Sequence, residues 1–158
     1  MSVMRVRRDS RRLHGRCACC QTATMTNVPA QTPRILIVED EALVRMVLSD
    51  TLEDLGFLVE AAGSANAALD RLKALEGRVD AAILDVGLPD RKGDVLAAEL
   101  RALYADLPIV IATGYEDEAL RARFKDDRLI AFLAKPYNSA DVVPVLKSLG
   151  VRDPGGHT

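Results

Sequence analysis

The chain has 158 residues, 49% hydrophobic and 28% charged, which is an ordinary composition for one globular domain with its own core. No apolar stretch is long enough to span a bilayer, and no continuous apolar segment follows the basic residues of the start, which argues against a membrane protein and a secreted one. We therefore expect a cytoplasmic protein without a membrane partner.

The net charge of −2 conceals an uneven distribution. Residues 1–33 carry six arginines and one acid, a net +5, whereas residues 34–158 carry 15 basic and 22 acidic side chains, a net −7. The basic leader could touch nucleic acid or membrane, but its composition is more typical of a disordered segment. An acidic domain binds phosphate backbones poorly, so we expect no nucleic-acid partner for the rest of the chain.

The leader contains every cysteine of the chain, with His14 nearby: Cys17, Cys19 and Cys20. Structural zinc ligands usually come as two separated pairs, and no second pair follows, so we do not expect a zinc site. Met25 is a second plausible start. We interpret residues 1–33 as a disordered leader and linker, 34–150 as the folded domain and 151–158 as a flexible tail.

Strands and helices alternate after the linker. The apolar run 35–38 predicts a buried strand, and the next helix, over about 41–55, is predicted to be capped by Asp40 and to end at Gly56. The apolar stripe expected for this helix is Val44, Leu48, Leu52 and Leu55. The run 57–61 is more amphipathic and predicts a strand at or near an edge.

Ser64 is predicted to cap a second helix, which stops near Gly77 and carries Ala68, Leu72 and Leu75. A third strand, 81–84, ends at Asp85. The helix that follows Gly93 has as its apolar stripe Leu96, Leu100 and Leu103. A fourth strand, 109–112, ends at Thr113.

The segment 115–128 has few apolar residues among many charges and predicts a short, loosely held helix. The fifth strand, 129–134, ends at Lys135. Ser139 is predicted to cap the last helix, which contains Pro144 and whose apolar stripe is Val142, Val145, Leu146 and Leu149. Five β-α units connected by right-handed crossovers predict a parallel sheet with helices on both faces, a flavodoxin-like α/β fold with strand order 2-1-3-4-5.

Four of these strands end in polar residues, and the carboxyl ends of parallel strands meet at one edge of the sheet, where ligands bind. Glu39 and Asp40 follow the first strand, Asp85 ends the third, Thr113 the fourth and Lys135 the fifth. Three carboxylates close together repel one another, and a hard dication such as Mg²⁺ relieves that repulsion. The set therefore predicts a site for a divalent cation and a phosphoryl group.

Each role in such a site has a candidate. A carboxylate can act as a nucleophile towards phosphorus, Lys135 can neutralise one phosphoryl oxygen, and the Thr113 hydroxyl can donate to another. Two structural alternatives stay open, because Asp40 could serve only as a helix cap and Thr113 only as a turn residue.

Residues 34–149 resemble a response-regulator receiver domain of two-component signalling. The motifs that carry the resemblance are Val38-Glu39-Asp40-Glu41, Leu84-Asp85-Val86-Gly87-Leu88-Pro89 with Gly93, Ala112-Thr113-Gly114-Tyr115, and Lys135-Pro136. The resemblance implies that Asp85 is the phosphoacceptor, that Asp40, Asp85 and the Gly87 carbonyl bind Mg²⁺ directly, and that Glu39 does so through water. It also implies that Thr113 and Lys135 contact the phosphoryl group and that the Lys135–Pro136 bond is cis.

The run 111–115 partly resembles that of the single-domain receivers called FAT GUY, with Ile111 in place of their phenylalanine. That subgroup often works with sensor histidine kinases of the HWE class, so the resemblance suggests such a partner. Phe132 stands where many receivers have a switch tyrosine. Its ring can move inward, but it has no hydroxyl to bond outward.

We therefore expect a stand-alone receiver that takes a phosphoryl group onto Asp85 from a sensor histidine kinase or a phosphotransfer protein, with Mg²⁺ as cofactor. Such a domain catalyses its own phosphorylation and dephosphorylation without being a conventional enzyme. One alternative is a pseudo-receiver, an interaction module that is never phosphorylated. A small flavin-binding protein of the same fold is disfavoured, because Glu39, Asp40 and Glu41 occupy the loop that would have to hold its phosphate.

Overall fold

The computed structural model describes residues 31–114 and 117–155. Residues 1–30 of the predicted leader, with its cysteines, lie outside this part of the chain. Strands and helices alternate as predicted: β1 Arg34–Val38, α1 Ala42–Asp54, β2 Leu58–Ala62, α2 Ala65–Ala74, β3 Ala81–Asp85, α3 Gly93–Leu103, β4 Ile109–Thr113, α4 Glu118–Arg123, β5 Ile130–Ala134 and α5 Ser139–Ser148.

The five strands form one parallel sheet in the order β2-β1-β3-β4-β5, which confirms the predicted topology. Alternate strand residues face opposite sides, so the sheet has two apolar faces. On one face Leu36 and Leu84 belong to a core cluster with α2, α3 and α4. On the other, Ile35 and Ile83 belong to a cluster with α1 and α5. Both faces are thus covered by helices.

Two predicted helix caps are wrong. Helix α1 has Glu41 rather than Asp40 at its N-cap, and no side chain bonds to the cap position. Helix α5 is capped by Asn138 rather than Ser139: the Asn138 side chain accepts from the amide of Ala140, and Asp141 accepts from the amide of Asn138. The helix thus begins one residue earlier than predicted, and the capping box of Asn138 and Asp141 satisfies two amides at once. The Ser64 cap of α2 is confirmed by its bond from the Ala67 amide.

Leu55 and Leu103, which were assigned to apolar stripes, are 42% and 62% exposed. Each lies at the end of its helix, Leu55 as the C-cap of α1 and Leu103 as the last residue of α3, where the chain leaves the helical path. At the other end of the domain, Val151 is buried, and Pro154 packs against Gly56. These two residues belong to the segment that the sequence assigned to a flexible tail.

The first residue of α3, Gly93, has no room for a side chain. A Cβ atom at this position would lie 2.2 Å from the carbonyl oxygen of Asp85. The glycine therefore allows the start of α3 to pack directly against the end of β3. Among the described residues, no helix is both long and apolar enough to cross a membrane.

Candidate functional site

The polar residues predicted at the strand ends lie at one edge of the sheet. Glu39 and Asp40 follow β1, Asp85 is the last residue of β3, Thr113 is the last of β4, and Lys135 follows β5. The strand registers bring these ends together, since Val38 pairs with Leu84, Asp85 with Ala112, and Thr113 with Ala134.

Three carboxylates form the centre of the site. Glu39, Asp40 and Asp85 each offer one oxygen, and these oxygens lie within 4.8 Å of one another. Glu39 and Asp85 are buried, whereas Asp40 is exposed. The cluster is thus open to solvent on the Asp40 side and closed beneath. A set of oxygen donors at this spacing fits a hard divalent cation, which prefers carboxylates and carbonyls.

Lys135 neutralises part of this charge. Its Nζ atom lies 2.8 Å from Asp85 Oδ1 and 3.4 Å from Glu39 Oε2. Burial lowers the pKa of Lys135, but the hydrogen bond and charge of Asp85, together with those of Glu39, outweigh it, so the pKa is raised. The ammonium is therefore held in its charged form beside Asp85. The Lys135–Pro136 peptide bond is cis.

Glu39 is the most deeply placed of the three acids. Burial raises its pKa, and the neighbouring charge of Asp85 raises it further, while Lys135 acts in the opposite direction. Tyr137, which the sequence analysis did not single out, lies close enough to Glu39 for the two groups to interact electrostatically. Burial and then the charge of Glu39 raise the pKa of its phenol, which keeps it neutral. Two buried acids share the charge of Lys135, so a bound cation would neutralise the negative charge that remains.

Gly87 lies beside the nucleophile candidate. A Cβ atom at this position would be 3.5 Å from Asp85 Oδ2, an ordinary contact. A small side chain would therefore fit at Gly87. Asp90, further along the same loop, accepts hydrogen bonds from the amides of Ala65 and Asn66 at the start of α2. These bonds, the one from Asn66 first, lower the pKa of Asp90, so the loop after Asp85 is tied to α2 by a charged carboxylate.

Thr113 and Phe132 lie on the side of the site that faces α4. The buried Thr113 hydroxyl donates to Asp117 Oδ2 at 3.5 Å, the limit of a hydrogen bond. The half-buried Phe132 ring lies under the guanidinium of Arg121, whose Cζ atom is 5.1 Å from the ring centroid. Neither Asp117 nor Arg121 was predicted from the sequence, because nothing in the local pattern of 117–128 marks a partner for them.

Arg45 is the other residue that sequence reasoning missed. It lies on α1, and its Nη1 atom donates to the carbonyl oxygens of Glu39 at 2.6 Å and of Asp40 at 3.2 Å. An arginine four residues after an acidic turn carries no distinctive sequence signal. Its role is visible only once the turn and the helix are folded against each other.

The fold and the site define a class: a flavodoxin-like α/β domain with a carboxylate cluster and a lysine at the carboxyl ends of its parallel strands. The family model of the response regulator receiver domain matches residues 35–147. The chain therefore belongs to the response regulator receiver domain family.

Relatives and solved structures agree with this assignment. The chain is 36% identical over 128 residues to the transcriptional regulatory protein PdtaR of Mycobacterium tuberculosis, covering 80% of this chain and 61% of PdtaR. It is 32% identical over 115 residues to the sensor kinase CckA of Brucella abortus, covering 73% of this chain and 12% of CckA. The chemotaxis protein CheY4 of Vibrio cholerae superposes with a TM-score of 0.68 at 27% identity, covering 75% of this chain and 98% of CheY4. The chain thus spans less than two thirds of the length of PdtaR and of CckA.

Proposed function

We propose that the protein accepts a phosphoryl group on Asp85 from a phosphohistidine of a partner and signals through protein contact or by draining phosphate from a kinase. The observation that carries the proposal is the position of Asp85 within the carboxylate cluster and 2.8 Å from the Lys135 ammonium. Phosphoryl transfer requires mainly positioning and neutralisation of charge, which this arrangement supplies.

In the proposed step a carboxylate oxygen of Asp85 attacks phosphorus. The phosphorus–nitrogen bond of the donor breaks, and its electron pair returns to the imidazole ring. The product is an acyl phosphate on Asp85. Lys135 pairs with one phosphoryl oxygen, and the Thr113 hydroxyl turns from Asp117 to donate to another.

The carboxylates fit Mg²⁺, which binds proteins through one or two carboxylates and completes its shell with other oxygens. We propose that Asp40, Asp85 and the Gly87 carbonyl hold the ion directly and that Glu39 does so through water. When bound, the ion would act as a Lewis acid and neutralise charge on the phosphoryl oxygens. Asp40 is suited to bind first because it is the exposed member of the cluster.

The test is incubation with acetyl phosphate and MgCl₂, followed by intact-mass measurement. We expect one base-labile phosphoryl group on the wild type, none on Asp85→Asn, and none in the presence of EDTA. The control variants Asp90→Asn and Asp94→Asn remove neighbouring acids and should still be labelled. Label that persists on Asp85→Asn would show that the site is wrong. A wild type that takes no label would favour the pseudo-receiver alternative.

The partner is proposed to be a sensor histidine kinase, with the HWE class as a first candidate, or a phosphotransfer protein. Beside the carboxylate cluster, α1 exposes Leu43, Met46 and Val47, whose exposed fractions are 62%, 54% and 55%. Their i, i+3, i+4 spacing places them on one face of the helix. A donor that brings a phosphohistidine to Asp85 would cover this face.

Transfer from a panel of purified, autophosphorylated histidine kinases tests the partner. Val47→Glu should slow transfer from the cognate kinase and leave labelling by acetyl phosphate unchanged. Val95→Glu places the same charge on an exposed position of α3 and serves as the control. Equal transfer rates for both variants would place the docking surface elsewhere.

A further inference from the structure

The turn that carries Glu39 and Asp40 is held by a side chain outside the carboxylate cluster. A single nitrogen of Arg45, Nη1, donates to the backbone carbonyl oxygen of Glu39 at 2.6 Å and to that of Asp40 at 3.2 Å. Hydrogen bonds from a charged donor are about twice as strong as neutral ones. The guanidinium thus connects the two acids through their backbone and does not itself occupy their carboxylates.

The structure leaves a space for this guanidinium at Gly63. A Cβ atom at position 63 would lie 3.2 Å from Arg45 Nη1 and 3.6 Å from Cζ. Gly63 follows β2, whose last residue, Ala62, accepts a hydrogen bond from the Glu39 amide at 3.1 Å. The ends of β1 and β2 and the beginning of α1 therefore meet around Arg45.

Such support matters most for Asp40. Glu39 and Asp85 are fixed by burial, whereas the Asp40 side chain is exposed and α1 has no side-chain cap to stiffen the turn. Mg²⁺ demands a nearly ideal octahedral arrangement of its ligands, so an exposed carboxylate serves well only if its backbone is fixed. We propose that Arg45 is a positioning residue, which holds the 39–40 turn so that its carboxylates face Asp85. The identity of the ion in this proposal rests on the proposed function.

Two explanations of Arg45, a positioning role and an effect of its charge alone, predict opposite changes in Mg²⁺ affinity when the residue is removed. A positive charge near three carboxylates weakens cation binding through space, so removing it would tighten Mg²⁺ binding if Arg45 acted only by its charge. If Arg45 positions the turn, its removal loosens the ligands and weakens binding. The sign of the change therefore separates the two explanations.

The experiment is a titration of the metal-free protein with MgCl₂, followed by the amide signals of Asp85 and Gly87 in two-dimensional NMR. For Arg45→Met, which keeps the aliphatic stem, we expect the dissociation constant to rise about tenfold, as is usual when a group supporting metal ligands is removed. Arg71→Met is the matched control, because it removes the same charge from the last turn of α2. Unchanged or tighter binding by Arg45→Met would overturn the proposal.

Two further variants keep the test decisive, because each alone should weaken Mg²⁺ binding relative to the wild type whether or not Arg45→Met folds. Arg45→Lys keeps the charge but lacks the planar fork, and it should weaken binding less than Arg45→Met. Gly63→Ala should displace the guanidinium by a few tenths of an ångström and weaken binding, yet add nothing in the Arg45→Met background. Additive effects of Gly63→Ala and Arg45→Met would show that the two residues act separately and would overturn the shared role.

A measurement without metal separates this inference from the proposed function. In the metal-free wild type the carbonyl carbons of Glu39 and Asp40 should show the downfield shift of strong hydrogen-bond acceptors, and Arg45→Met should abolish it. Identical carbonyl shifts in the two proteins would refute the positioning role. A wild type that binds no Mg²⁺ would overturn the metal site of the proposed function, while the carbonyl shifts would still decide whether Arg45 holds the turn.

Discussion

Two parts of the molecule border the same site but are anchored very differently. We call residues 39–45 and 85–93 the acidic side. There Arg45 donates to two carbonyl oxygens, and Asp90 accepts from two amides of α2. Helix α1, which begins on this side, has 13 residues and buries Leu48 and Leu52 in the core. The α4 side, residues 117–124 with Phe132, contains a six-residue helix with one buried residue, Leu120.

The contacts that hold α4 are also weaker in kind. They are the 3.5 Å hydrogen bond of Thr113 to Asp117, the Arg121 guanidinium over Phe132, and the Arg123–Asp94 ion pair at 2.6 Å, which is partly exposed. Segments with few buried apolar contacts open at low free-energy cost and often move in signalling. The difference suggests that the acidic side is built to keep its geometry and the α4 side to change it. We propose that partners read the phosphorylated state on α4, β5 and α5.

The largest difference should appear on truncating one leucine on each side. Leu52→Ala removes a fully buried side chain and should lower the free energy of unfolding by about 2–5 kcal/mol. Leu120→Ala should cost an amount at the low end of this range, because a helix of one to two turns can shift into the space. Urea unfolding measures the global effect. Native-state hydrogen exchange should show selective opening of 117–124 in Leu120→Ala alone.

Substitution of Asp90 tests whether the acidic side is stabilised by the hydrogen bonds that its charged carboxylate accepts from α2. Its pKa is lowered in the folded state, so its contribution to stability is present above the ordinary carboxyl pKa of 3.8 and is lost as the pH falls through the lower folded value. Asp90→Ala should therefore lower Tm at pH 7, because two amides at the start of α2 lose their charged acceptor. The difference from the wild type should shrink below that pKa. A difference that is the same at pH 7 and pH 3 would show that the charge of Asp90 is irrelevant.

Substitution of Arg121 tests whether its guanidinium holds the Phe132 ring in the position seen without phosphate. An exposed cation–π contact contributes about 0.5–1 kcal/mol, which corresponds to a few-fold change in population. Arg121→Gln should shift Phe132 towards the inward position even without phosphate. Fluorine NMR with fluorophenylalanine is suitable because the chain has three phenylalanines. The Phe132 signal should move in the direction produced by beryllofluoride, while the Phe57 signal stays in place. A Phe132 signal unaffected by the substitution would refute the proposed effect of Arg121 on the position of the Phe132 ring.

Beryllofluoride, a mimic of the phosphoryl group, allows the responses of the acidic side and the α4 side to be compared by amide NMR shifts. We expect the largest amide shifts, beyond the immediate neighbours of Asp85, within 113–137, because the α4 side is the one that changes. Shifts confined to residues 39–41 and 85–88 would mean that the state is read on the acidic side instead.

The smallest effect is expected for Arg123→Gln. The Arg123–Asp94 ion pair is about half exposed at the arginine, and such pairs typically contribute 0–1 kcal/mol, so we expect less than about 0.5 kcal/mol of global stability. The variant should nonetheless increase hydrogen exchange in α4. Unfolding at two salt concentrations is the check, since screening should weaken the wild-type pair and the stability of Arg123→Gln should therefore respond less to salt. A salt response equal in both proteins would remove this pair from the account.

The periodicity of the sequence was sufficient for the main architecture. Four apolar runs and an amphipathic fifth predict the strands, and the stripes at helical spacing predict the helices, because alternation and 3.6-residue spacing are local properties of the chain. The convergence of Asp40, Asp85 and Lys135 followed as well, since parallel strands place their carboxyl ends at one edge. These features depend on backbone geometry alone.

Tertiary structure decided what depends on neighbours distant in sequence. Asp90 bonds to Ala65, 25 residues away, and Lys135 bonds to Glu39, 96 residues away. Asp40 is a good cap by type, yet Glu41 takes the N-cap position while Asp40 lies in the carboxylate cluster. Long polar side chains such as Arg45 and Arg121 reach several partners at similar free-energy cost. Which partner they bind is settled only by the packing of the elements that carry them, so local sequence could not predict it.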